Sequence, residues 1–224
     1  MHRLAPFLLA AALAAQEAQV PPRDPDSASA APEPTEPEAH PEPAPPAFAL
    51  RDLKPLLGGA LAGLALHESG HYLLNLGLHT DPYLKRVDTA DIPFFAVTYR
   101  KEVTLRQEYA IASAGFWVQH GMAEAILAKY PYVWKEAPMA VKGAFAFHLA
   151  TSLVYAYAAL AKSGPPERDT LGMARGLGIH ERWVGLAILL PAALDAYRSF
   201  HPDAPWATWT SRGLKVSFVF ALTR

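Results

Sequence analysis

Two histidines four positions apart bracket a glutamate in His67-Glu68-Ser69-Gly70-His71, and these residue types at this spacing can do hydrolytic chemistry. On a helix, positions i and i+4 share a face, so both imidazoles can reach one metal ion. The glutamate next to them can take a proton from metal-activated water. The pentad lies within the apolar run Leu56 to Leu78. Three titratable side chains there are costly to bury unless something pairs with them, and a zinc ion supplies that pairing. A merely solvated pair of histidines would need a polar helix face, and the flanking leucines 61, 64, 66, 73, 74, 76 and 78 leave little of one.

Catalytic zinc takes three protein ligands and keeps one position open. The chain has no cysteine, so the third donor after His67 and His71 must be Asp, Glu or His. Asp195 is the first candidate, a lone carboxylate behind the apolar stretch Val184 to Leu194, because an unpaired buried carboxylate needs a cation. Its competing role is a helix-end aspartate beside Arg198. Glu124 and His120 are rivals, four apart on one helical segment, and His148 is a third. His79 falls near a helix end and reads as solvated. His180-Glu181 falls at a helix start, where a glutamate has a routine place near the positive end of the helix dipole.

These residues need helices to position them. A first helix is expected over Leu53 to Leu78, with Pro55 in its opening turns, where a missing N–H costs little. Gly58, Gly59 and Gly63 would let another helix approach closely, and the stretch is long enough to span a bilayer. Thr80-Asp81-Pro82 ends it. The β-prone segments 83–87 and 94–99 predict a hairpin, and Val103 to Leu105 a short third strand. Such a hairpin is an ordinary surface element or an edge that holds an extended peptide by strand addition. Three further helices are expected at Glu108 to Tyr130, Met139 to Lys162 and Arg182 to Phe200. A Gly-rich, charged loop joins the last two, and the tail at 213–222 has β-like character in Lys215 to Phe220.

Apolar residues make up 51% and charged residues 18%, a balance that leans toward a membrane or a very buried helical core. The formal net charge of −1 gives no electrostatic footprint for nucleic acid. Residues 1–15 read as a secretory signal: His2 and Arg3, then the apolar Leu4 to Leu13, then small residues before Gln16. An uncut anchor is the alternative, but the run is short for a span. Residues 16–47 are rich in Pro, Glu and Ala and read as a disordered linker or stalk. Residues 48–224 then form one folded domain. Export would place the chain at the cell membrane with its N-terminus on the periplasmic or extracytoplasmic side.

The order of these pieces resembles the site-2 protease family, the intramembrane zinc metallopeptidases. Three elements carry the resemblance, over about Leu56 to Phe200. His67, Glu68 and His71 match the family's His-Glu-x-x-His in full. Ala114-Gly115-Phe116-Trp117-Val118-Gln119 is similar to its Ala-Gly-Pro-x-x-Asn element, with Phe116 for proline and Gln119 for asparagine. Leu194-Asp195-Ala196 is similar to its Leu-Asp-Gly element, with alanine for glycine. The resemblance implies a mainly α, multi-helix membrane bundle with a small β-hairpin after the metal-binding helix. It also implies Zn2+ on His67, His71 and Asp195, and a substrate-binding role for Gln119.

The expected activity is zinc-dependent endopeptidase cleavage of peptide bonds in or near the membrane, with Glu68 as general base. The partners are membrane lipid and a peptide or transmembrane-helix protein substrate. Two alternatives stand beside it: a soluble or peripheral periplasmic zincin, and a non-catalytic membrane scaffold that retains a zinc site, a reading motivated by the altered second and third elements.

Overall fold

The computed structural model describes residues 50–89 and 92–220. The expected signal and linker, 1–15 and 16–47, lie outside them. The described residues are mainly helical with one two-stranded antiparallel sheet, in the order α1 (Leu50–Gly77), β1 (Pro82–Thr89), β2 (Ile92–Tyr99), α2 (Leu105–Lys129), α3 (Val133–Glu136), α4 (Met139–Ala161), α5 (Asp169–Leu177), α6 (Glu181–Phe200) and α7 (Pro205–Phe220).

Helix α1 packs on α4 and α2, α4 on α6, α2 on α5, and α7 on α6. Small residues set the closest crossing. A Cβ on Gly59 would fall 1.7 Å from the Ala140 carbonyl oxygen, and one on Gly143 would fall 1.9 Å from that of Leu56. Backbone therefore meets backbone where α1 crosses α4, as the early glycines of α1 lead one to expect. One core cluster, around Tyr109, Phe116, Met173, Val184 and Ile188, ties α2, α5 and α6 together. A second, around Ala123, Leu127, Val133 and Phe145, fills the space between α2, α3 and α4.

The hairpin forms as expected, from Pro82 opposite Tyr99 to Thr89 opposite Ile92. The third strand does not. Thr104 is instead the N-cap of α2: its hydroxyl accepts from the Gln107 amide at 3.3 Å, while Gln107 Oε1 accepts from the Thr104 amide at 2.9 Å. That reciprocal capping box commits Leu105 to helix. The stretch expected to be a Gly-rich loop contains α5. Two of its glycines serve packing: a Cβ on Gly172 would lie 2.8 Å from that of Ala112, and one on Gly176 would lie 2.5 Å from that of Tyr109. The β-like tail is also helical, because Ser211, Arg212 and Lys215 share one helical face and reach the partly buried Glu124 of α2 and the buried Asp195 of α6. Tertiary ion pairs outweigh the strand preference of its valines and aromatics.

Among the described helices, α4 is long and apolar enough to cross a membrane, and α5 with α6 meets the same measure only as a pair bent by 116°.

Candidate metal centre

His67 and His71 stand on the buried face of α1, both almost wholly excluded from solvent. Their Nε2 atoms approach to 3.2 Å. Asp169, the first residue of α5, brings Oδ2 to 3.3 Å from His67 Nε2 and 3.4 Å from His71 Nε2. Two ligands at 2.0–2.1 Å from a tetrahedral zinc stand about 3.3–3.4 Å apart, so the three donor atoms have the spacing of one coordination face.

Hydrogen bonds on the far sides of the rings decide what these atoms offer. His71 Nδ1 lies 2.7 Å from the Ile111 carbonyl oxygen, which can only accept, so Nδ1 carries the proton and Nε2 presents a lone pair. For His67 the argument runs through Gln119. The Gln119 amide nitrogen donates to the His148 carbonyl oxygen at 3.1 Å and contacts Ser152 Oγ at 3.0 Å and His148 Nδ1 at 3.2 Å. The carbonyl fixes which way the amide points. Gln119 Oε1 therefore faces His67 Nδ1, at 2.9 Å, and accepts its proton. His67 Nε2 is left with a lone pair as well. With both rings neutral, two nitrogen lone pairs and a carboxylate oxygen converge in a buried space, an arrangement that fits a divalent metal.

The walls keep this space narrow. A Cβ on Gly115 would fall 2.4 Å from His71 Nε2 and 2.6 Å from His67 Nε2, so α2 closes the site with the one residue that leaves the donor face clear. Phe116 meets the His67 ring edge-on at 5.2 Å, and Tyr155 of α4 stacks on it at 6.0 Å with its phenol beside Asp169. Glu68 is half-buried beside both histidines, and its carboxylate accepts from the backbone amide of Val97 on β2.

Asp169 is held by its neighbours. Arg168 donates twice to Glu181, at 2.7 and 2.8 Å, and Thr170 Oγ1 donates to Glu181 Oε1 at 2.7 Å. Arg168 also donates to the carbonyls of Gly164 and Pro165. Both residues flanking Asp169 are therefore pinned to the first residue of α6. Two positions earlier Glu167 pairs with Lys85 of β1, whose ammonium holds the Glu167 carboxyl below its usual range.

Of the residues expected from sequence, His67, Glu68 and His71 come together. Asp195 does not join them. It is fully buried, but its carboxylate is occupied by His148 Nε2 at 3.1 Å, Arg198 at 3.0 Å, Ser211 at 2.7 Å and Lys215 at 2.7–2.8 Å. The cations that compensate it are basic side chains, and Asp169 takes the third place at the histidines. Gln119 is also reassigned: it is fully buried and its amide is committed to His67, His148 and Ser152, which removes it from contact with substrate. Of the rivals, Glu124 binds Arg198, Arg212 and Lys215. His120 and His148 group with Asp195. Asp169, Tyr155 and the bracing role of Glu181 are invisible in the local pattern. An aspartate opening a short helix is ordinary dipole chemistry, and only the spacing of Arg168 and Thr170 from Glu181 hints at more.

Comparison with family models, with curated proteins and with solved structures finds no match to this chain.

Proposed function

We propose that the protein is a membrane-embedded zinc-dependent endopeptidase, with zinc on His67, His71 and Asp169 and with Glu68 as general base. One observation carries this reading: three acceptor atoms within 3.4 Å of one another, with a glutamate from the same helix turn beside them. A metal ion bound there supplies Lewis acidity, acidifying water and polarising a peptide carbonyl. Zinc suits this donor set of two neutral imidazoles and one carboxylate in a chain without cysteine.

Glu68 accepts the proton of the attacking water and returns it to the amide nitrogen as the C–N bond breaks. His67 and His71 are locked in the tautomer that presents Nε2 by Gln119 and Ile111. The Tyr155 phenol, beside Asp169, is placed to donate to developing negative charge. The Val97 amide points at Glu68 rather than at β1, so the outer edge of β2 runs along the site. That edge suits an extended peptide held by strand addition.

The membrane setting is supported by the outward faces. Leu57, Leu61, Leu66, Leu73 and Leu76 of α1 and Leu153, Val154 and Tyr157 of α4 are each more than two-fifths exposed. Apolar stripes of that extent suit lipid better than water. This reading keeps the resemblance to intramembrane zinc metallopeptidases at His67-Glu68-Ser69-Gly70-His71 and takes the third donor from α5 in place of Asp195.

The test is Glu68→Gln in a cleavage assay with a membrane-derived peptide. Turnover falls by about 10²–10⁴-fold while metal content is retained. Undiminished turnover in that variant removes the mechanism.

A further inference from the structure

The His67 ring is the near end of a longer buried path. Gln119 Oε1 accepts a hydrogen bond from His67 Nδ1, and its amide nitrogen lies 3.2 Å from His148 Nδ1. Asp195 Oδ2, which can only accept, lies 3.1 Å from His148 Nε2, so Nε2 donates and Nδ1 is the unprotonated nitrogen facing Gln119. Asp195 is in turn clamped by Arg198 of its own helix and by Ser211 and Lys215 of α7. Every side chain from His67 to Asp195 is buried to within 1% of complete exclusion.

The same three groups, His120, His148 and Asp195, have the spacing of a second metal site. Electrostatics argues against it. Lys215 contacts both Asp195 oxygens and Arg198 contacts one, so a further cation would be repelled, and the His148 nitrogen facing Asp195 carries a proton rather than a lone pair.

We infer that Gln119, His148 and Asp195 form a positioning relay for the metal ligand His67, anchored by Lys215 of α7. Metal-bound histidines commonly give their other N–H to an oxygen acceptor that fixes the ring and raises its basicity. Here the acceptor is an amide, and an amide can flip. The His148 carbonyl fixes the amide orientation, and the Asp195 carboxylate fixes the His148 tautomer. Each hydrogen bond in the path polarises the next. A buried carboxylate that does not touch the metal thus polarises, through the His148 ring and Gln119, the N–H of one ligand. This deepens the metal-site reading and rests on it.

The experiment measures zinc affinity of the full chain by competition with a chromophoric chelator, alongside thermal melting of each metal-free variant. Asp195→Asn and His148→Leu cut the path at two points and weaken zinc binding by about 10–100-fold. Glu124→Gln disturbs the same ionic cluster, through Arg198, Arg212 and Lys215, without touching His148, and stays within about twofold of wild type. Wild-type affinity in a folded Asp195→Asn or His148→Leu variant overturns the relay and leaves the metal site standing. An equal loss in Glu124→Gln also overturns it, since the cluster then acts through packing alone. Two zinc ions per wild-type chain would assign His120, His148 and Asp195 to a metal instead. A wild-type chain that binds no zinc refutes the metal site itself. If Asp195→Asn does not fold, His148→Leu carries the test.

Discussion

Gly115 shows how much of the site is decided by a single missing atom. The imidazoles facing it are tied back by Gln119 and Ile111, so they cannot swing away from a new methyl group. Gly115→Ala places that methyl 2.4–2.6 Å from both Nε2 atoms. The expected outcome is a cost of about 1–3 kcal/mol in stability of the metal-free protein and a loss of metal affinity, read by thermal melting and by chelator competition. Unchanged zinc binding would show that α2 can retreat from α1. At this scale the sequence is informative only where chemistry is written locally. His67, Glu68 and His71 are legible because three unusual residues sit one turn apart in an apolar helix. Asp169 is not, because its partners lie about a hundred positions away in the chain. Asp195 misleads for a physical reason that is sound as far as it goes: a buried carboxylate does need a cation. The cations turn out to be Arg198 and Lys215, one three residues on and the other in a segment that reads as a strand.

Among the elements, α5 matters most for its size. Its nine residues carry the third donor, and its N-terminus is fixed through Arg168, Thr170 and Glu181. Glu181→Gln breaks the charge pair and loosens the loop without touching the donors. Zinc affinity is expected to fall by about 10–100-fold, while the α1–α2 packing that seats the histidines stays intact. The checks are chelator competition and hydrogen exchange in α1. Wild-type affinity would mean that α5 holds Asp169 by packing of Gly172 and Gly176 on α2 alone. Long apolar segments announced themselves well: α1, α4 and α6 fall within a few residues of where the apolar runs put them. The hairpin did too, since its β-prone segments flank a polar turn. α5 and α7 did not. Glycines placed for close contact look like loop composition, and a helix stabilised by distant carboxylates can carry β-branched residues that argue for strand. The capping box at Thr104 and Gln107 was readable, and it outweighs the weak strand signal of Val103 to Leu105.

On the scale of the molecule, the proposed membrane setting rests on the exposed apolar faces of α1 and α4, of which α4 is long and apolar enough to cross a bilayer. Alkaline extraction of membranes from cells making the full chain is expected to leave the protein in the pellet, and detergent to release it. Release by alkali alone would favour a peripheral zincin with the same site. A polar path runs from Asp169 through the two histidines to Gln119, His148 and Asp195, and through Arg198 and Lys215 to Glu124. Such a network is expensive to bury and is stable only when every member is satisfied. In the proposed reading a metal ion satisfies its centre. The most direct test is therefore the zinc content of purified full-length protein, wild type against Asp169→Ala, with binding read by chelator competition. The account predicts one zinc per wild-type chain and a loss of affinity greater than about 100-fold in the variant. An Asp169→Ala protein that binds zinc as tightly as wild type, or a wild-type chain that binds none, would contradict it.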